Sequence, residues 1–279
     1  MTILKEGGNV FKTAEGPLTT RIATPMVGPT IKFIEKITGL TFDEQERLGT
    51  TGKKIDPDGS FEDNSSGDID LNTDSNKISK EELITRLKKY LVSIGVPEEE
   101  MMNVGRKKTD GWIKDAGDQV HFRTPIKGSG DKFVQTDFMM TVNPDYQRGA
   151  KRGGTKLYSG TDRALMLASV ARARGFKMSP KFGLLNPEDD SVVSNDWNEI
   201  AELLLGKGAT EKDTHTVESM IAYLKKDPAY EQLIAKFKEY LEKGGKKLPE
   251  ADLYRTLEDK QLARIKELSG NMLNSVKML

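Results

Sequence analysis

Ser66-Gly67-Asp68-Ile69-Asp70-Leu71 alternates acidic and aliphatic residues, and Phe133-Val134-Gln135-Thr136-Asp137-Phe138-Met139 sets a further acid inside an apolar run. Strand side chains point to opposite faces with a period of two. Asp68 and Asp70 therefore share one face, and Ile69 and Leu71 share the other. Two carboxylates side by side repel, and a cation relieves the repulsion. If the two strands are neighbours, Asp68, Asp70 and Asp137 converge, and the pattern predicts a site for one or two divalent metal ions. The plainer reading of a lone Asp-x-Asp is a pair of exposed strand residues. Ahead of this strand lies a small, hydroxyl-rich turn, Leu48-Gly49-Thr50-Thr51-Gly52.

A Gly-Thr turn, then Asp-hydrophobic-Asp-hydrophobic, then a distant third Asp on a strand, resembles the polymerase β-like nucleotidyltransferase superfamily. The resemblance runs from about residue 48 to residue 142, a third of the chain. Two features depart from the family pattern. Its usual turn serine is Thr50 here, which keeps a hydroxyl. The gap from Gly49 to Asp68 is also longer, and residues 55–64 read as a surface loop. The whole chain is loosely similar to nucleotidyltransferase-like proteins of tailed bacteriophages, an impression to which Gly8-Asn9-Val10-Phe11-Lys12 contributes.

The resemblance implies a transferase that moves a nucleoside monophosphate from a nucleoside triphosphate, such as ATP, to a hydroxyl acceptor and releases pyrophosphate. Two Mg²⁺ ions, with Mn²⁺ as a substitute, would neutralise charge on the attacking and leaving oxygens. Asp68 and Asp70 would hold both ions. Asp137 would bind the one that activates the acceptor and would receive its proton. Gly49, Thr50 and Thr51 would grip the phosphates, because glycine allows close backbone approach and oriented amides favour anions. Lys53 and Lys54 would neutralise triphosphate charge, or else form a solvated basic turn. Tyr158-Ser159-Gly160-Thr161-Asp162-Arg163 opens a helix, whose N-terminus favours anions. There Arg163 would contact phosphate, Ser159 sugar or phosphate, and Tyr158 the base. The alternative is a capped helix with a surface arginine. The acceptor stays open between an RNA or DNA 3′ end, a protein and a small molecule. Rival readings are a non-catalytic phage structural or binding protein of the same fold, and a two-metal nuclease.

Other motifs are excluded. Gly49-Thr50-Thr51-Gly52-Lys53-Lys54 is too short for an ATPase-type phosphate loop. Asp56-Pro57-Asp58-Gly59-Ser60 lacks the glycine and glutamate offsets of a calcium loop. His121 reads as a strand-face residue rather than a base, and His215 as a surface helix residue.

The chain has 279 residues, enough for two domains. Lys+Arg and Asp+Glu both number 43, so no global basic field draws nucleic acid. Local clusters remain, Arg106-Lys107-Lys108 and the basic residues between 148 and 156. The absence of cysteine excludes disulfides, thiolate zinc and a cysteine nucleophile, and fits a reducing cytoplasm, the host's if the protein is phage-encoded. No apolar run approaches the roughly 18 residues of a membrane span, and the first residues do not read as a signal peptide.

The first 24 residues read as an extended arm. A helix is expected from Thr24-Pro25 or Gly28-Pro29 to Gly39, where proline suits the first turn. Ser79-Lys80-Glu81-Glu82 is a capping box ahead of an apolar stripe of Leu83, Ile84, Leu87, Leu91 and Ile94. Residues 119–124 and 133–142 read as strands joined by a turn-rich connection. The first domain, 1–150, is therefore α+β, a small mixed or antiparallel sheet with flanking helices and an N-terminal arm. Glycine and basic residues between 144 and 156 read as a mobile linker. The second domain, 155–279, reads as all-helical, with helices near 161–174, 196–206, 213–226, 228–241 and 249–268.

Overall fold

The structure, a computed structural model, describes residues 10–49, 51, 65–103, 109–152, 155, 158 and 160–242. Thr50, Lys53, Lys54 and Ser159 lie outside the described residues, as do the expected loop at 55–64, the Arg106-Lys107-Lys108 cluster and the expected helix at 249–268. The fold combines helices with small sheets, and the chain divides into two compact units, Met1–Gly153 and Gly154–Leu279.

The first unit opens with a hairpin, β1 (Lys12–Thr13) and β2 (Gly16–Pro17), where an extended arm was expected. Next, β3 (Ile22–Ala23) pairs with the later β4 (Ser65–Ser66). Helix α1 (Thr24–Thr38) carries Pro25 in its first turn, and Gly39 closes it in the left-handed region. Strand β5 (Asp68–Asp74) leads to α2 (Lys80–Ser93), whose N-cap Ser79 accepts a hydrogen bond from the Glu82 backbone N–H. A short α3 (Glu98–Met101) precedes β6 (Ile113–Ala116), β7 (Gln119–Pro125) and β8 (Phe133–Thr141).

These last strands form a mixed four-stranded sheet in the order β5-β8-β7-β6. β5 and β8 run parallel, and the other two pairings are antiparallel. The alternation expected from sequence sorts the two faces. Ile69, Leu71, Val120, Phe122, Val134, Phe138 and Met140 lie on one face and are buried against Ile31 and Ile34 of α1 and Leu83, Leu87 and Leu91 of α2. Each such side chain contributes roughly 1.5–3 kcal/mol through removal of apolar surface from water. Because that face is committed to the core, a register slip of one residue would bury the acids, so the register is strongly specified. The opposite face is polar and carries Asp68, Asp70, Gln135, Asp137, His121 and Arg123.

The expected mobile linker is in part a helix. Asn143 accepts from the Tyr146 backbone N–H and starts α4 (Pro144–Ala150), with Pro144 at its first position. Asn72 on the polar face donates to the Pro144 carbonyl at 2.9 Å, which ties α4 to β5.

The second unit is not all-helical. Between α5 (Gly160–Ala173) and α6 (Trp197–Leu205) lie β9 (Lys177–Ser179), β10 (Gly183–Leu185) and β11 (Val192–Ser194), an antiparallel sheet in the order β11-β10-β9. Asp196 caps α6 by accepting from the Asn198 and Glu199 N–H groups, and Gly206 follows the helix. The expected helix at 213–226 is a 3₁₀ turn (Glu211–Thr214) followed by α7 (Val217–Leu224), and α8 (Tyr230–Glu242) closes the described part. Among the described residues, no helix is long and apolar enough to cross a membrane.

Candidate metal centre

On the polar face of the first sheet, Asp70 and Asp137 are direct register partners across the parallel pair, and Asp68 is the partner of Gln135. Alternation puts Asp68 on the same side, two residues before Asp70. One ligand oxygen from each of Asp68, Asp70 and Asp137 lies within 4.8 Å of the others. Strand β5 supplies two carboxylates from one element, and β8 brings the third to the same point.

The field at this point is strongly negative. Burial first, and then the charges of Asp68 and Asp137, push the Asp70 carboxyl up to about 7, while Lys151 pulls it back part of the way. Three carboxylates this close disfavour full ionisation unless a cation shares them. Hard oxygen donors with no sulfur or exposed imidazole among them fit a hard divalent ion such as Mg²⁺. The group thus suits a metal by donor chemistry.

Asp137 is held by two side-chain donors. His121, its register partner on β7, lies 2.7 Å from Asp137 Oδ1 through Nδ1. An ionised carboxylate can only accept, so Nδ1 carries the hydrogen. Gln135 donates Nε2 to Oδ1 at 2.9 Å and to Oδ2 at 3.1 Å. All three side chains belong to buried residues, so these hydrogen bonds face little competition from water. His121 is a strand-face residue, as its position in the alternation predicts, and its partner is the third carboxylate. Sequence reasoning missed Gln135. It shares the Asp137 face at a spacing of two, which was a usable signal.

The turn ahead of β5 sits against the acids. A 3₁₀ turn (Glu44–Glu46), capped reciprocally by Asp43 and Glu46, leads into it. The Leu48 N–H donates to the Asp70 carbonyl at 3.0 Å. Gly49 has φ +54°, and a Cβ built there would lie 2.6 Å from Asp70 Oδ2. Glycine is thus required twice over, for the left-handed backbone and for the close approach. The Thr51 hydroxyl accepts from the Asp70 N–H at 3.1 Å and donates to the Asp68 carbonyl at 3.3 Å. It pins the turn to the strand edge, a different task from holding a phosphate.

Tyr158 and Arg163 belong to the second unit, and both are buried there. Arg163 is 1% exposed, donates Nε to the Thr214 carbonyl at 2.7 Å and lies 5.5 Å from the Trp197 ring centre. As placed, it is neither a surface arginine nor open to a phosphate. Tyr158 packs its ring against Phe237, and burial, then Glu218 and Asp162, raise its hydroxyl above the usual tyrosine range. His215 pairs with Glu211 at 3.4 Å.

No protein-family model matches this chain, and no curated protein matches it in sequence.

Proposed function

We propose that this chain is a divalent-metal-dependent nucleotidyltransferase with a polymerase β-like catalytic fold, moving a nucleoside monophosphate from a nucleoside triphosphate to a hydroxyl acceptor. The observation that carries the proposal is the meeting of Asp68, Asp70 and Asp137 within 4.8 Å on one face of a mixed sheet. Two further features support it. A tight glycine turn is hydrogen-bonded to the edge of the strand that holds the first two acids. The third acid lies on the adjacent parallel strand, in register with the second.

Asp68, Asp70 and Asp137 would hold Mg²⁺, or Mn²⁺ in its place. Bound there, the metal would neutralise phosphate charge and lower the pKa of an attacking hydroxyl. The protein's own groups do the rest. Gly49 lets the backbone pass close to the Asp70 carboxylate. Lys151, at the end of α4, adds positive charge in the field of Asp70. His121 and Gln135 hold Asp137 in one orientation. The polar face also changes sign across the sheet, with acids on β5 and β8 and with Arg123 and Lys114 on β7 and β6.

The test is incubation of the full chain with each α-labelled nucleoside triphosphate, Mg²⁺, and RNA, DNA or small hydroxyl compounds as acceptors. Covalent label on one acceptor class, absent in Asp70→Asn, is the expected result. No transfer with any donor, together with metal-dependent shortening of the nucleic acid, would replace the proposal with a nuclease.

A further inference from the structure

We infer that Gln135 is a positioning residue for Asp137, and that the N-terminal segment sets which way its amide points through the backbone N–H of Val10. This rests on the metal-site reading above.

A glutamine amide has one accepting and one donating end. Val10 N–H donates to Gln135 Oε1 at 3.0 Å. That contact assigns the accepting end to the N-terminal segment and turns Nε2 toward Asp137, where it donates to both carboxylate oxygens. With the amide reversed, Oε1 would face a carboxylate oxygen, two acceptors with no hydrogen between them. Burial of Gln135 keeps water from mediating that contact.

The segment that carries Val10 is itself anchored. Phe11 is fully buried, Lys12 N–H donates to the Thr109 carbonyl at 2.9 Å, and the Thr109 hydroxyl donates to the Lys12 carbonyl at 2.7 Å. The relay therefore runs from a fixed backbone through one side chain to one carboxylate. Its consequence at Asp137 is an asymmetry. Among the described residues, Oδ1 accepts from both His121 and Gln135, whereas Oδ2 accepts only the longer Gln135 bond. Oδ2 is the oxygen with capacity left for a cation. Partners of this kind, one bond removed from a metal, orient its ligands and tune affinity.

The experiment is calorimetric titration of the full chain with Mn²⁺ alone, for wild type, Gln135→Met, Val10→Pro and Asp68→Asn. Methionine keeps the length of glutamine without its hydrogen bonds. Proline removes the donor at position 10 and also fixes φ there. Thermal unfolding in metal-free buffer identifies the folded variants. We expect Asp68→Asn to lose binding, Gln135→Met to bind about tenfold more weakly, and Val10→Pro to shift the same way by a smaller factor. A merely structural role would lower the unfolding midpoint and leave the affinity of the folded protein alone. Folded Gln135→Met with wild-type affinity, while Asp68→Asn has lost binding, overturns the positioning role and leaves the metal site standing. If wild type binds no Mn²⁺, the metal-site reading falls and takes this inference with it. Val10→Pro leaves the glutamine in place, so wild-type affinity in that variant overturns the relay even if Gln135→Met does not fold.

Discussion

Asp70 and Asp137 stand opposite each other on two parallel strands, and they differ in what surrounds their carboxylates. Asp137 accepts from His121 and Gln135, whereas Asp70 is pushed up to about 7, chiefly by burial and then by the charges of Asp68 and Asp137. The pair therefore combines one carboxylate gripped by two side-chain donors with one whose charged form is disfavoured by burial and by its acidic neighbours.

That contrast sets a pH dependence. The folded pKa of Asp70 lies above its unfolded value of 3.8, so the folded state binds this proton more firmly. Stability of the metal-free protein should then fall as pH rises from about 4 to about 7 and level off above, as linkage requires. Divalent-cation affinity should do the opposite, rising to about pH 7 as the competing proton leaves. Urea unfolding and Mn²⁺ titration across this range check both. A metal-free protein whose stability climbs from pH 4 to 7 through this site would contradict the assignment.

Asparagine at the two positions should act in opposite directions. Asp70→Asn removes a desolvated, repelled charge, so the metal-free variant should be more stable than wild type at pH 8. That gain should vanish near pH 5, where Asp70 is already protonated. Asp137→Asn sets an amide N–H₂ or a weaker acceptor against the His121 and Gln135 donors, and should cost about 2 kcal/mol near pH 5, and less at pH 8, where loss of its charge relieves Asp70. Both should abolish metal binding and transfer. Unfolding curves at the two pH values separate the cases.

Gly49→Ala should damage the site without touching an acid. Its φ of +54° disfavours a side chain, and the new methyl would lie 2.6 Å from Asp70 Oδ2. A loss of about 1–2 kcal/mol in stability is expected, with weaker Mn²⁺ binding as Asp70 is displaced. Calorimetry on the folded variant measures the second effect, and an unchanged affinity would show that the turn yields instead of the carboxylate.

Arg163→Met should unfold the second unit more easily and leave Mn²⁺ affinity unchanged. The guanidinium is buried and donates to the Thr214 carbonyl, a charged hydrogen bond whose loss costs about 1.5–3 kcal/mol. Urea unfolding alongside Mn²⁺ titration distinguishes this from a direct part in the metal site, which would weaken binding in the folded state.

Alternation alone made Asp68 and Asp70 legible as one-face neighbours, because a strand has no other way to place residues two apart. It could not say that β5 and β8 are adjacent and parallel, since pairing joins distant segments. His121 and Gln135 were legible as polar strand positions, but their hold on Asp137 depends on the β7–β8 register. The three strands β9, β10 and β11 have three residues each, too few for a period of two to stand out, which is why this stretch was absorbed into a helical reading. At α4, Asn143 and Pro144 formed a readable helix start, but the surrounding glycines and basic residues argued for a linker. Arg163 was misread because a charged residue at a helix start is ordinarily solvated, and only its packed neighbours reveal otherwise.

The parallel pairing of β5 with β8 also fixes when the acids can meet. Antiparallel β7 and β8 are joined by a short connection and can pair locally, whereas a parallel partner requires a crossover through the rest of the unit. Closing that long loop costs entropy before its contacts form, so β5 is expected to dock after the hairpin. Asp137 and its His121 partner would then meet before Asp70 arrives. A cation that needs all three carboxylates would gain its full grip only beyond the folding barrier. It would slow unfolding and leave the refolding rate nearly untouched. Stopped-flow rates with and without Mn²⁺ would display this as a shift in one arm of the chevron.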